Sequence, residues 1–220
     1  MAREAAASGR RICPRSRLRS WVQRRISVAP MGLSVYLYLA LLAAVGLLRL
    51  VELRISRQHQ QRMLAGGAVR VPEPHFKWMV AVHTGVLVGA AAEVVLLKRP
   101  FLPLLGGLML ALFLASNLVR LWVVRTLGDL WSVQVMDSTQ LGVVTTGPFR
   151  FVRHPNYTGV ILEMISLPLI HTAWITAVVT SLVYAAALSM RIRAEEGVLM
   201  ANPEYRAAMG HKPRFLPGLF

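Results

Sequence analysis

The 220-residue chain is 55% hydrophobic and only 16% charged, with a mean hydropathy of +0.51 and a formal net charge of +15. A soluble domain carries about 25% charged residues, so the composition points to a lipid environment, and the length fits a single domain. Much of the positive charge flanks long apolar runs, as it does in membrane proteins, which argues against a nucleic-acid partner. The lone cysteine, Cys13, excludes an intramolecular disulfide framework and any multi-cysteine metal site.

Residues 1–30 carry Arg3, Arg10, Arg11, Arg15, Arg17, Arg19, Arg24 and Arg25 against the single acid Glu4, with no helical apolar period. They read as a basic, disordered tail, or as sequence upstream of a native start at Met31. A targeting segment and an arm for anionic lipid or nucleic acid stay open. Residues 31–220 read as one membrane domain.

A membrane span needs about 20 mostly apolar residues, and five segments meet or approach that length. Residues 31–53 come first, with Arg49 and Glu52 near one end, then residues 78–97 with His83 and Glu93. Lys98-Arg99-Pro100 makes a basic break before residues 101–124, which hold Asn117 and Arg120 late in the run. Residues 158–170 and 174–190 are shorter and meet around His171, as a C-terminal helical hairpin would. The expected fold is therefore an all-α integral membrane protein of about five transmembrane helices. Loop arginines such as Arg57, Arg62, Arg125, Arg150 and Arg193 gather on one side of such a chain, and basic loops favour the cytoplasm. With five spans the arginine-rich N-terminus falls on the opposite side, against that rule.

Between the third run and the hairpin lies a polar stretch, residues 125–157, with turn formers at Gly142, Gly147 and Pro148. A connection of this length inside a compact domain is functional or disordered, and its aromatic and β-branched residues favour function. Gly147-Pro148-Phe149-Arg150-Phe151-Val152-Arg153-His154-Pro155-Asn156-Tyr157 closes it, and Pro155 fits the first turn of a following helix. After the hairpin, Arg191 and Glu195 stand at i and i+4, which by itself describes an ordinary helix-end ion pair. The six histidines, at 59, 75, 83, 154, 171 and 211, show no metal-ligand spacing, so no metal is expected.

The run from Gly147 to Gly159, Arg191-x-x-x-Glu195-Glu196, and the ending Tyr205…Pro213-Arg214-Phe215-Leu216-Pro217 together resemble the isoprenylcysteine carboxyl methyltransferase family. The resemblance extends from about Arg120 to the C-terminus. It implies an S-adenosylmethionine site built from the last helices and the C-terminal segment, mainly within residues 125–220 at the cytoplasmic face. Consistent with a site outside the Rossmann class, the chain lacks a GxGxxG turn between strand and helix. By resemblance, Gln134, Leu141, Gly142, Val143, Val144, Phe149, His154, Pro155, Asn156, Tyr157 and Glu195 contact the cofactor, and Arg191 faces the methyl acceptor.

Arg49-Leu50-Val51-Glu52-Leu53 and Glu73-Pro74-His75-Phe76-Lys77-Trp78, with His83, resemble a bacterial branch of the same family. Members of that branch accompany type III polyketide synthases and O-methylate long-chain alkylpyrones or alkylresorcinols. The implied substrate is a lipophilic carboxylate, enol or phenol, or a prenylated cysteine. His75 and His83 are read equally well as packing residues and as substrate contacts. Two competing functions have distinct signatures. Sterol-type membrane reductases share an HPNY-like turn but carry Gly-Glu soon after it and bind NADPH, whereas Gly159-Val160 stands here and the acid comes only at Glu163. A membrane adaptor or transporter subunit would show repeated halves with broken helices, which this sequence lacks.

Overall fold

The computed structural model describes residues 32–73 and 76–215. The N-terminal tail with Cys13 and Met31, Pro74 and His75, and the closing Leu216 and Pro217 lie outside the described residues. From Ser34 onward the chain forms one compact unit.

Helix α1 spans Leu33–Ala65, twelve residues beyond the apolar run that signals it. Its buried residues explain the extension. Tyr38, Leu42 and Val45 form one stripe, and Ser56, Gln60 and Met63 form a second. The two are offset by 18 residues, about five turns at 3.6 residues per turn, so they lie on one face of one helix. The first stripe packs on Leu167 and Ile170, whereas Gln60 donates to Ser132 Oγ at 2.9 Å in the loop beyond the third helix. Hydropathy sees only the first.

Helix α2 is Phe76–Leu96, α3 is Pro103–Leu127, α4 is Pro155–Leu169 and α5 is Trp174–Leu199, with a short α6 over Pro203–Met209. Proline opens α3, α4 and α6, where its missing N–H costs no intrahelical bond. Asn202 caps α6, accepting from the backbone N–H groups of Glu204 and Tyr205 at 2.9 and 3.1 Å. Val69–Arg70 (β1) pairs antiparallel with Met136–Asp137 (β2), a small ladder that an all-α reading does not include. It joins the chain just beyond α1 to the loop that follows α3.

Among the described residues, four helices, α1, α2, α3 and α5, are long and apolar enough to cross a membrane. The expected fifth, α4, has 15 residues and so a length of about 22 Å, short of a hydrocarbon core of about 30 Å. It packs against α2, α3 and α5. Gly159 sets its approach to α3: a Cβ there would fall 2.7 Å from Arg120 Cγ and 3.1 Å from the Ser116 carbonyl. The turn from α4 to α5 is short, as a hairpin requires, and Glu93 of α2 closes it. Its carboxylate accepts from the backbone N–H groups of Ile175 and Thr176 at 3.1 and 2.7 Å, satisfying donors that the first turn of α5 leaves free.

Candidate functional site

The polar stretch between α3 and α4 folds as a chain of tight turns, Gly128–Leu130, Thr139–Leu141 and Gly147–Arg150. Gly142 at φ +109° and Gly147 at φ +57° hold backbone conformations that other residues rarely adopt. At Gly147 a side chain would also run into Thr126, so the turn lies directly against the end of α3.

The C-terminal segment holds the next part of the motif. Arg153 and His154 donate their backbone N–H groups to the carbonyls of Pro213 and Arg214, each at 2.9 Å. Lys212 Nζ donates to the Phe149 carbonyl at 2.8 Å, and Thr158 Oγ1 to that of Phe215 at 3.1 Å. Glu196 clamps this arrangement from α5. Its carboxylate lies 3.0 Å from His154 Nε2, 3.3 Å from Arg153 and 2.6 Å from Arg214. That hydrogen bond, with the charge behind it, holds the Arg214 guanidinium above its ordinary pKa. The three sequence blocks of the motif are thus one physical cluster.

These turns, the start of α4 and the end of α5 enclose a cavity. Gln134, Gly142, Val143 and Val144 line one part of it, and Phe149, His154, Pro155, Asn156 and Tyr157 another. Arg191 and Glu195 complete the wall from α5. Eleven of the twelve site residues marked in the sequence therefore converge. Leu141 does not: it is 39% exposed, and its side chain turns toward Gly66. Tyr205 adds a phenol whose pKa is pushed above its ordinary value, first by burial and then by the nearby Glu195 charge.

Arg191 and Glu195 do not form the direct ion pair their spacing predicts. Tyr157 stands between them, accepting from Arg191 Nε at 2.8 Å and donating to the Glu195 carboxylate. The Arg191 guanidinium also donates to the Val133 carbonyl and lies 3.5 Å from Glu73. Glu73 in turn accepts from the backbone N–H of Val135. Arg191 therefore ties α5, α4 and two loops together, with its side chain only 9% exposed.

A second cavity lies on the other side of that tie. It is lined by Gly46, Leu50 and Leu53 of α1, by Met79, Val80, His83 and Leu87 of α2, and by Val160 and Tyr184. Trp131, Ser132, Asn156, Tyr157 and Arg191 line both cavities and form their common wall. Two buried polar atoms on this wall, Asn156 Oδ1 and Trp131 Nε1, have no protein hydrogen-bond partner. An unmet acceptor and an unmet donor fit a site that takes a polar ligand.

Four ionised side chains from three helices pair inside the bundle, and three of them, Arg49, Glu52 and Arg120, also line the second cavity. Arg49 reaches both oxygens of Glu163 at 2.7 and 2.8 Å and also pairs with Glu52. Arg120 lies 2.9 Å from Glu52 and 3.4 Å from Glu163. Two positive and two negative charges cancel, as a buried ionic cluster must if it is not to expose unpaired charge. The sequence offers one hint, a single ionisable residue in each of two apolar runs. The motifs include Glu196, Arg49 and Glu52, but only the fold shows the Glu196 clamp and the pairing of the quartet. Among the described residues no three His, Cys, Asp or Glu side chains converge as a metal site would require.

Residues 109–201, which include α4, the hairpin and Arg191 and Glu195, match the isoprenylcysteine carboxyl methyltransferase family. The chain is 33% identical over 160 residues to YpbQ, an uncharacterized protein of Bacillus subtilis, a match covering 72% of this chain and 94% of that protein. An uncharacterized protein of Haemophilus influenzae is 26% identical over 158 residues, covering 71% and 91% of the two chains. The chain belongs to the isoprenylcysteine carboxyl methyltransferase family, a family of methyltransferases, and its apolar helices are those of a multi-pass membrane protein.

Proposed function

We propose that this protein is an S-adenosylmethionine-dependent O-methyltransferase that takes its acceptor from the membrane. The observation that carries the reading is the common wall. A polar cavity built by turns and an apolar cavity built by helices meet at Asn156, Tyr157 and Arg191.

The polar cavity suits the donor. The Glu195 carboxylate can hold the cofactor's ammonium or ribose hydroxyls, and Phe149, Val143 and Val144 offer an apolar face to adenine. Asn156 Oδ1 and Trp131 Nε1 would gain partners from the same molecule. The helix-built cavity suits a long-chain carboxylate, enol or phenol, such as an alkylpyrone, an alkylresorcinol or a prenylated cysteine. The cofactor supplies an activated methyl group on sulfonium. The chain's own residues orient the acceptor oxygen and exclude water, and positioning and electrostatics supply most of such a rate gain. Arg191, fixed by Tyr157 and Val133, can bring a charge-assisted contact to the acceptor oxygen.

The basic ends of α1, α3 and α5 share the side that holds the donor cavity, and the preference of basic loops for the cytoplasm supports a cytoplasmic site. An NADPH-dependent reductase is the competing reading. It is disfavoured because Glu163, the acid nearest after Tyr157, is bound into the ionic quartet and lines neither cavity. Lipid extracts from cells with and without the protein test the proposal. A lipid one methylene unit heavier, present only with the protein, is the expected result. A protein-dependent gain of two hydrogens instead would show a reductase.

A further inference from the structure

The apolar cavity is surrounded by charge, yet almost none of it can take a proton. Glu52 is bound by Arg49 and Arg120, and Glu163 by the same two arginines. Arg191 has no acceptor. Tyr157 spends its hydroxyl between Arg191 and Glu195. His83, on α2, differs. Its Nδ1 lies 2.7 Å from the Met79 carbonyl one turn earlier. A carbonyl can only accept, so Nδ1 carries the hydrogen, and in the neutral ring Nε2 then holds a lone pair. Nε2 has no protein partner among the described residues, and the ring lines the cavity. Tyr184 of α5 fixes the ring edge-on, with centroids 5.7 Å apart at 82°.

We infer that His83 Nε2 is the general base for an acceptor that arrives as a neutral O–H, a phenol or an enol, rather than as a carboxylate. This rests on the methyltransferase reading. As the acceptor oxygen attacks the methyl carbon, its proton passes to Nε2. The carbon–sulfur bond breaks, its electron pair stays on sulfur, and the neutral thioether leaves. The imidazolium returns its proton to water once the methyl ether departs. The net-neutral quartet of Arg49, Glu52, Arg120 and Glu163 faces His83 from α1, α3 and α4, with Tyr184 facing it from α5. No unpaired carboxylate there holds the ring permanently protonated.

The test compares detergent-purified wild type, His83→Gln and His83→Ala on three long-chain acceptors: an alkylresorcinol, a more acidic alkylpyrone and a fatty acid. Labelled S-adenosylmethionine binding is measured alongside. Both variants should bind the cofactor as wild type does. Their turnover should fall about 100-fold or more on the resorcinol, the size of a general-base contribution. The loss should be smaller on the pyrone and smallest on the carboxylate. Added imidazole should restore His83→Ala on the resorcinol. Equal losses on every acceptor, an unchanged rate, or a wild type that methylates only the carboxylate would overturn the role of His83. A wild type that binds no S-adenosylmethionine would instead overturn the methyltransferase reading beneath it.

Discussion

The two cavities meet at one wall but are built in opposite ways. The cavity proposed for the donor draws its walls from turns and helix ends within residues 123–205, and backbone hydrogen bonds to residues 213–214 hold its motif. The cavity proposed for the acceptor takes most of its lining from α1 and α2, with a few residues from α3, α4, α5 and the loop after α3, and an ionic quartet stiffens it. The first can be rebuilt by changing a short loop, whereas the second changes only with the helices.

Substitutions should affect the two cavities and their common wall differently. Glu163→Ala should do the most damage, and should do it to the fold. It leaves Arg49 and Arg120 short of charge inside the bundle, and breaking a buried pair costs about 3–5 kcal/mol. Thermal unfolding in detergent should show this as a large drop in midpoint.

Arg191→Ala strikes the common wall. Turnover should fall by about 10²–10³, the scale of one lost transition-state donor, with cofactor affinity retained. Arg191→Lys should not rescue it, because a single ammonium cannot hold the Tyr157 hydroxyl and the Val133 carbonyl in the fork geometry of a guanidinium. Steady-state kinetics with parallel binding measurements check both.

Glu196→Gln loosens the donor side alone. Removing the charge that His154, Arg153 and Arg214 share should cost about 1–3 kcal/mol. Faster limited proteolysis near Arg214, with α1–α3 still protected, would show that the clamp is local. Leu141→Ala should do least, within about 0.5 kcal/mol in stability and with unchanged cofactor affinity, since its side chain turns away from the cavity.

The convergence on the turn-built cavity is legible in sequence because its residues are neighbours there: His154 to Tyr157 are contiguous, and Arg191 and Glu195 are one helical turn apart. Leu141 lies outside that cavity: resemblance carries a whole stretch, while the turn Thr139–Leu141 faces this side chain outward. The direct Arg191–Glu195 pair failed because helical spacing cannot see Tyr157 arriving from α4. Helix identity followed from apolar runs. The second half of α1 did not, because Ser56 and Gln60 are buried by hydrogen bonds to Ser132 rather than by apolarity. The helix-built cavity shows in sequence only as scattered signals, Arg49, His83 and Arg120, which four helices bring together with Tyr184.

The central claim is that the cavity beneath Glu195 holds a methyl donor. Equilibrium binding of labelled S-adenosylmethionine and of NADPH to the detergent-purified protein and to Glu195→Ala tests it directly. Saturable S-adenosylmethionine binding that Glu195→Ala abolishes, with no NADPH binding to either protein, is the expected result. Saturable NADPH binding without S-adenosylmethionine binding, or S-adenosylmethionine binding untouched by Glu195→Ala, would contradict it.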